Sequence, residues 1–213
     1  MDVDAIRRKY RRNAVFYNLV DRPLRRVRRR AVAALQLHSG DTALDFGCGT
    51  GLSFDLLEPC VGPGGRVIGV DVSPDMLRRA RARIADRGWA NVTLIESSVD
   101  AVELEPESVD GVICFYTHDI MNSPVALEKA LAALRPGGRV VAAGVKRAEG
   151  VRGLVFNPIT RAYSSTAVTS LANFDRPWVH LERLLGRLEV EDQLWGTAYI
   201  ASATKHDAAP PIA

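Results

Sequence analysis

Short apolar runs alternate with amphipathic helical periods along most of the 213-residue chain. Residues 42–46 read as a strand, and Gly51-Leu52-Ser53-Phe54-Asp55-Leu56-Leu57 opens a helical period. Residues 66–71 read as a second strand. Ser73-Pro74 then offers a helix cap and a first-turn proline ahead of the strongly helical residues 75–84. Residues 92–96 read as a third strand and residues 110–115 as a fourth. The fifth, residues 139–145, follows Arg135-Pro136-Gly137-Gly138, which stops a helix. Near the end residues 177–188 are helical, and residues 188–194 and 196–203 read as two hairpin strands around Trp195-Gly196. Regular alternation of strand and helix predicts an α/β fold: a doubly wound, mainly parallel sheet of seven strands, covered on both faces.

Between the first strand and its helix lies Ala43-Leu44-Asp45-Phe46-Gly47-Cys48-Gly49-Thr50-Gly51. A carboxylate ends an apolar run, and three glycines follow at alternate positions. At such a turn a backbone without Cβ atoms admits a ligand closely, and helix N-terminal amides can bind a carboxylate. A dinucleotide fingerprint wants glycines at relative positions one, three and six, whereas Gly47, Gly49 and Gly51 stand at one, three and five. The loop resembles that of S-adenosylmethionine (SAM) dependent methyltransferases with a Rossmann-like fold, of the kind that modifies quinones, lipids and other small molecules. The resemblance implies SAM as cofactor, with Asp45 holding the methionine ammonium, usually through water. Arg66-Val67-Ile68-Gly69-Val70-Asp71 ends in a second carboxylate 20 residues beyond Gly51, the separation that lets Asp71 reach ribose hydroxyls in a βαβ unit.

Asp71-Val72-Ser73-Pro74-Asp75-Met76-Leu77 is similar to the family's second motif, in which the residue after the acid, here Val72, packs on adenine. Met76 either joins that contact or packs in the core. Where many members carry Gly-Asp after the third strand, this chain has Ser97-Ser98-Val99-Asp100. Ser98 can accept a hydrogen bond from the adenine amino group and the Val99 amide can serve a ring nitrogen, with Asp100 as the alternative through a shifted loop. Cys48, a small residue between loop glycines, and Cys114, at the end of the fourth strand, complete the expected cofactor surroundings. Read this way, the resemblance spans residues 41–145 motif by motif. It extends in outline to the final hairpin, whose last strand runs antiparallel in the family.

The N-terminal segment changes the picture. Residues 1–30 hold eleven basic against three acidic side chains, a local charge of +8 in a chain of net charge +3. Interleaved apolar residues make this a helical N-terminal cap, residues 1–35, that lies over the cofactor site, on an anionic membrane, or as a solvated face whose arginine stems cover apolar surface. Basic segments also bind nucleic acid. Tyr10-Arg11-Arg12-Asn13-Ala14-Val15-Phe16-Tyr17-Asn18 is similar to a Tyr-x6-Tyr-Asp segment of the small-molecule methyltransferases, in which the second tyrosine closes over SAM. Tyr17 either takes that role or packs on the core, and Asn18 replaces the usual Asp.

In an open α/β sheet the acceptor binds beyond the carboxyl ends of the strands. There stands Phe115-Tyr116-Thr117-His118-Asp119-Ile120-Met121-Asn122, the richest polar cluster in the chain. Tyr116, His118 and Asp119 are the catalytic candidates: His118 takes a proton from a hydroxyl or ammonium acceptor with Asp119 orienting it, or else it bonds a neighbouring loop while Asp119 caps a turn. The Asn/Asp-Pro-Pro-Tyr/Phe motif used for planar exocyclic amines is missing here, which disfavours nucleic-acid bases and glutamine as acceptors. Residues 146–176 form a long insertion expected to cover the acceptor, with Arg152, Asn157, Arg161, Tyr163, Ser164, Ser165 and Phe174. Val145-Lys146-Arg147 reads as a solvated strand end, Trp178 as a core anchor and His180 as structural.

The domain proper is expected over residues 36–203, with residues 204–213 a flexible tail. Apolar content of 47% and charge of 25% are ordinary for a globular protein. Three dispersed cysteines suit neither a disulfide framework nor a metal site, and the charged N-terminus reads as lacking a secretory signal. These features predict a cytoplasmic SAM-dependent methyltransferase of a small, lipophilic acceptor, with possible contact to anionic membrane through residues 1–30. Methylation of RNA or protein, or SAM binding without transfer, are the competing readings.

Overall fold

The computed structural model describes residues 17–150, Gly153 and residues 172–206. Helix α1 (Tyr17–Ala34) precedes β1 (Thr42–Phe46), α2 (Phe54–Val61), β2 (Arg66–Asp71), α3 (Pro74–Arg87), β3 (Val92–Glu96) and β4 (Val109–Phe115). Then come α4 (His118–Met121), α5 (Pro124–Ala133), β5 (Leu134–Val145), α6 (Val179–Leu185), β6 (Glu189–Gln193) and β7 (Ala198–Thr204). The strands form one seven-stranded sheet in the order β3-β2-β1-β4-β5-β7-β6. β1 to β5 are mutually parallel, and β7 is antiparallel to both β5 and β6. This is the expected doubly wound sheet, and its order reverses between β1 and β4.

Successive strand residues point to opposite faces, and both faces are covered. Leu44, Phe46, Val112, Cys114, Val140, Ala142, Tyr199 and Ala201 pack with α5 and α6, through Leu127, Ala130 and Leu181. Ala43, Ile113, Phe115, Val141, Ala143 and Ile200 pack on the other face with α1, α2 and α3, through Val27, Ala31, Leu35, Phe54, Leu57 and Leu77. Ser73 caps α3 by accepting a hydrogen bond from the Met76 amide, with Pro74 in the first turn and Gly88 closing the helix at φ 67°.

The described part of the N-terminal cap packs on the sheet, with Val27, Ala31, Val32 and Leu35 buried in its core, but other expectations shift. The fifth strand starts at Leu134, ahead of the glycines, because Leu134 pairs with Val109 before the register shifts to Gly111–Arg139. There the Gly137 amide donates to the Lys205 carbonyl at 2.7 Å, so backbone bonding extends past the expected start of the tail at Thr204. Residues 207–213 lie outside the described residues. The last helix is shorter than expected, stopped by Gly186 at φ 79°. Lys146 is not solvated but buried, with its Nζ 2.8 Å from Asp192 Oδ1.

Candidate functional site

β1 delivers Asp45 and β2 delivers Asp71 to the carboxyl edge of the sheet, one on each side of the glycine loop. Gly47 and Gly49 have φ of 91° and 56°, left-handed values that a side chain resists. A Cβ on Gly47 would stand 2.5 Å from Thr117 Cγ2 and 2.7 Å from Ile120 Cδ1, so the loop abuts the segment after β4. A Cβ on Gly49 would meet nothing within 4 Å, which leaves open space over the middle of the loop.

The loop is braced from below. The Gly47 and Cys48 amides both donate to the Val70 carbonyl at 2.9 Å, and the Gly51 amide donates to the Cys48 carbonyl at 3.0 Å. Asp71 accepts from the Gly49 amide on Oδ2 and from the Ser73 amide on Oδ1, each at 2.8 Å. Burial pushes the Asp71 carboxyl up, and these backbone amides partly offset that. With the amides of Ser73, Gly49 and Val72 on its two oxygens, the Asp71 carboxylate retains accepting capacity for a ligand hydroxyl.

Asp45 is 1% exposed, and its Oδ2 has no hydrogen-bond partner among the described residues. Burial pushes its carboxyl up to about 7, although the Arg28 guanidinium and a hydrogen bond from Ser53 pull the other way. Arg28 was counted with the basic arm, yet it is 6% exposed and its guanidinium carbon lies 4.4 Å from the centre of the Phe115 ring. Periodicity alone would have found it, because Arg28 sits between Val27 and Ala31 on the buried stripe of α1.

Other expected cofactor residues surround the loop. Cys48 is buried with its sulfur packed toward Gly69, and desolvation raises its thiol strongly. Met76 is buried in the first turn of α3, while Val72 is half-buried beside Asp71. The Ser98 hydroxyl oxygen accepts from the Asp100 amide at 3.4 Å, and Asp100 Oδ1 accepts from the Ser123 hydroxyl at 2.6 Å. Asp100 therefore braces α5, and the Val99 side chain belongs to the core. Cys114 also faces that core, where burial pushes its thiol up to about 12. The backbone of Tyr17 begins α1; its side chain lies outside what the structure describes.

On the acceptor side Tyr116 has φ 59°, a strained value worth about 1–3 kcal/mol, and its ring lies 4.8 Å from that of Phe115. His118 opens α4, is buried, and has Nε2 2.9 Å from the Ala172 carbonyl oxygen. A carbonyl only accepts, so Nε2 carries the proton and Nδ1 the lone pair. Burial lowers the His118 value, opposed by Asp119. The neighbouring-loop reading of His118 thus describes its Nε2, and Asp119 acts on it by charge.

Asn122, quoted in the polar cluster without a role, and Asn173, not foreseen, complete this corner. Asn122 Nδ2 donates to the His118 and Ala172 carbonyls at 3.0 and 3.3 Å, and Asn173 Nδ2 donates to Asn122 Oδ1 at 2.8 Å. Phe174 meets the His118 ring edge-on at 5.7 Å. The end of the 146–176 insertion is thereby stitched to α4, while Arg152, Asn157, Arg161, Tyr163, Ser164 and Ser165 lie outside the described residues. Trp178 is the expected core anchor, 4.9 Å from the Tyr199 ring. His180 Nε2 lies 3.3 Å from Asn173 Nδ2.

The sequence profile of the methyltransferase domain matches residues 37–172, well over half of the chain. The chain belongs to the methyltransferase domain family. It is 38% identical over 107 residues to a demethylmenaquinone methyltransferase of Lactococcus lactis, covering 48% of this chain and 41% of that protein. It is 35% identical over 107 residues to an arsenite methyltransferase of Halobacterium salinarum, covering 50% of this chain and 27% of the other. The matches thus span less than half the length of these curated relatives. A solved SAM-dependent methyltransferase from Aquifex aeolicus shares the fold, with a TM-score of 0.59 at 22% identity, over 78% of this chain and 82% of that one.

The cofactor of this methyltransferase domain is SAM, and the residues present fit it. The open space over Gly49 admits a ligand, the unpartnered buried Oδ2 of Asp45 suits an ammonium, and Asp71 stands ready for hydroxyls. Among the described residues no group of three or more His, Cys, Asp or Glu side chains could hold a metal ion. No described helix is long and apolar enough to cross a membrane.

Proposed function

We propose that this protein transfers the methyl group of SAM to a small, lipophilic acceptor such as a quinone-type ring, a lipid head group or a secondary metabolite. The observation that carries this reading is the juxtaposition at Gly47. There the cofactor loop touches the segment that bears Tyr116 and His118, with Phe174 set edge-on to the His118 ring. Such a corner offers aromatic surface and few charges, which suits a partly apolar ring. The two relatives are named for small acceptors, demethylmenaquinone and arsenite.

Bound SAM supplies an electrophilic methyl on a sulfonium, so the protein's task is chiefly alignment. Asp45 and Asp71 would hold the two ends of the cofactor, Val72 and Met76 would flank its adenine, and the Ser98 and Val99 backbone would bond its edge. Tyr116 and Phe174 bound the acceptor. Where the acceptor must lose a proton, His118 Nδ1 receives it; burial keeps the ring neutral near pH 7 and Asp119 stabilises the resulting charge. Cys48 lies beside the loop and Cys114 in the core beneath it, both without chemistry of their own, their thiols being held protonated by burial.

Methylation of RNA or protein through the N-terminal arm is the weaker reading. Arg28 is buried and Arg30 is paired with Glu191 at 2.7 Å, so the charge count overstates what α1 offers a phosphate backbone. Incubation with methyl-labelled SAM plus reduced naphthoquinones, lipids and a metabolite extract tests the proposal. A labelled small molecule supports it. Label confined to RNA or protein, or SAM binding with no labelled product from any fraction, overturns it.

A further inference from the structure

The turn between β6 and β7 is strained, yet it holds a large apolar side chain in solvent. Leu194 and Trp195 stand consecutively at φ 46° and 57°, left-handed values that only glycine adopts freely. Such a backbone persists where its surroundings over-determine it. Here Gln193 pairs with Ala198, the Thr197 hydroxyl donates to the Leu194 carbonyl at 2.8 Å, and the Lys146 amide donates to the Thr197 carbonyl at 2.9 Å. Lys146 Nζ, 2.8 Å from Asp192 Oδ1, ties the hairpin to the end of β5. Leu194 packs inward on the α1 face of the core. Trp195 is turned outward at 68% exposure, the highest among the exposed large apolar residues described.

Its position gives this residue a meaning. β7 opens at Ala198, opposite Val145 at the close of β5, so the turn stands at the carboxyl edge of the sheet, the edge that carries Gly47, Tyr116 and His118. Helix α1 reaches the same edge. Its last turn meets the start of β5 through Ala34 and Arg139, Arg28 lies over Phe115 at the end of β4, and Arg30 bonds Gln193 and Glu191 of β6. Arg26, one turn before Arg30, is carried along the same side of the helix toward that edge, with exposed Arg25 and Arg29 beside it. The neighbouring carboxylates are matched, Glu191 by Arg30 and Asp192 by Lys146, so they do not offset the positive charge of Arg25, Arg26 and Arg29.

We propose that Trp195 and the exposed arginines of α1 form one docking surface for an anionic lipid bilayer, which holds the mouth of the acceptor site against the membrane interface. A tryptophan, with an apolar ring and one N–H donor, settles at the level of lipid head groups, and arginines beside it reach their phosphates. The strained turn fixes the ring in the outward position before docking, so little freedom is lost on contact. The inference deepens the reading of a lipophilic acceptor and rests on it for its purpose, while the docking itself needs neither acceptor nor cofactor.

Full-length protein without SAM is expected to co-sediment with phosphatidylglycerol-rich vesicles, not with phosphatidylcholine vesicles, and to be released as salt rises. Trp195→Asn removes the ring while keeping the turn, because Asn tolerates positive φ, and it should weaken that binding roughly ten-fold or more. Phosphatidylglycerol brominated on its acyl chains supplies a second readout. It should quench the fluorescence of wild-type protein and not that of Trp195→Asn, since Trp178 is buried and Trp89 follows α3 at the opposite edge of the sheet. No binding by the wild type, undiminished binding by Trp195→Asn, or binding of RNA in place of vesicles overturns the proposal. So does a Trp195→Asn protein that loses turnover of a water-soluble acceptor as steeply as that of a vesicle-borne one, which would make Trp195 an acceptor contact. None of these outcomes touches methyl transfer to a small molecule, which the labelled-SAM assay decides by itself.

Discussion

Replacing Asp45 by Asn should weaken the cofactor and at the same time stabilise the ligand-free protein at alkaline pH. An exposed aspartate titrates near 3.8, whereas burial holds Asp45 at about 7 in the folded protein. The folded state therefore holds this proton more tightly than the unfolded chain does. Stability from this group is full below about pH 4 and is lost as pH rises through about 7. The interval of about three pH units corresponds to roughly 4 kcal/mol at 1.36 kcal/mol per unit. Asn, always neutral, escapes that loss. Urea unfolding of ligand-free protein at pH 8 should show Asp45→Asn more stable by up to about 4 kcal/mol, or roughly 8–16 °C in Tm for a domain of this size. At pH 4 the wild-type carboxyl is protonated and the gap should close. Equal stability of the two proteins at pH 8, or a gap that persists at pH 4, would refute the reasoning. SAM affinity in the wild type should rise from pH 6 to pH 8 as Asp45 ionises, and it should lose that dependence in the variant.

Asp71→Ala removes the acceptor of the Gly49 and Ser73 amides together with the expected ribose contact, so calorimetry should show SAM weakened ten-fold or more while NAD fails to bind either protein. His118→Ala should lower turnover roughly 10²-fold with a phenol or alcohol acceptor while leaving S-adenosylhomocysteine affinity unchanged; full activity with such an acceptor would exclude it as the base. Arg25, Arg26 and Arg29 are exposed on α1, each worth about 1 kcal/mol near an anionic surface, so binding to phosphatidylglycerol vesicles at low salt should fall on exchange of all three for Glu. Absence of vesicle binding by the wild type would remove the membrane from consideration.

Periodicity served best where a segment faces one environment along its whole length. The bounds of β1, β2 and β3 were legible to the residue, because each is an apolar run closed by a polar residue or a turn. The start of β5 was hidden, since Leu134 pairs with β4 before two glycines that ordinarily announce a turn. Arg28 and Lys146 were misread for a common reason: a long cationic side chain signals solvent in a sequence, and what covers it, the Phe115 ring for Arg28 and Asp192 for Lys146, lies far along the chain. The Asn122–Asn173 bond joins residues 51 apart, and no local pattern marks either as half of a pair.

The Arg147 amide donates to the Phe174 carbonyl at 3.1 Å, so the two stems of the acceptor-side insertion stand one hydrogen bond apart. A loop pinned at both stems adds to the cost of closure only as the logarithm of its length, each doubling costing about 0.6 kcal/mol. The intervening segment can therefore be exchanged, lengthened or trimmed with little effect on the sheet or on the cofactor end of the site. Under the proposed function, substrate choice then becomes a separable, graftable property of this chain, open to diversification by exchange of that segment.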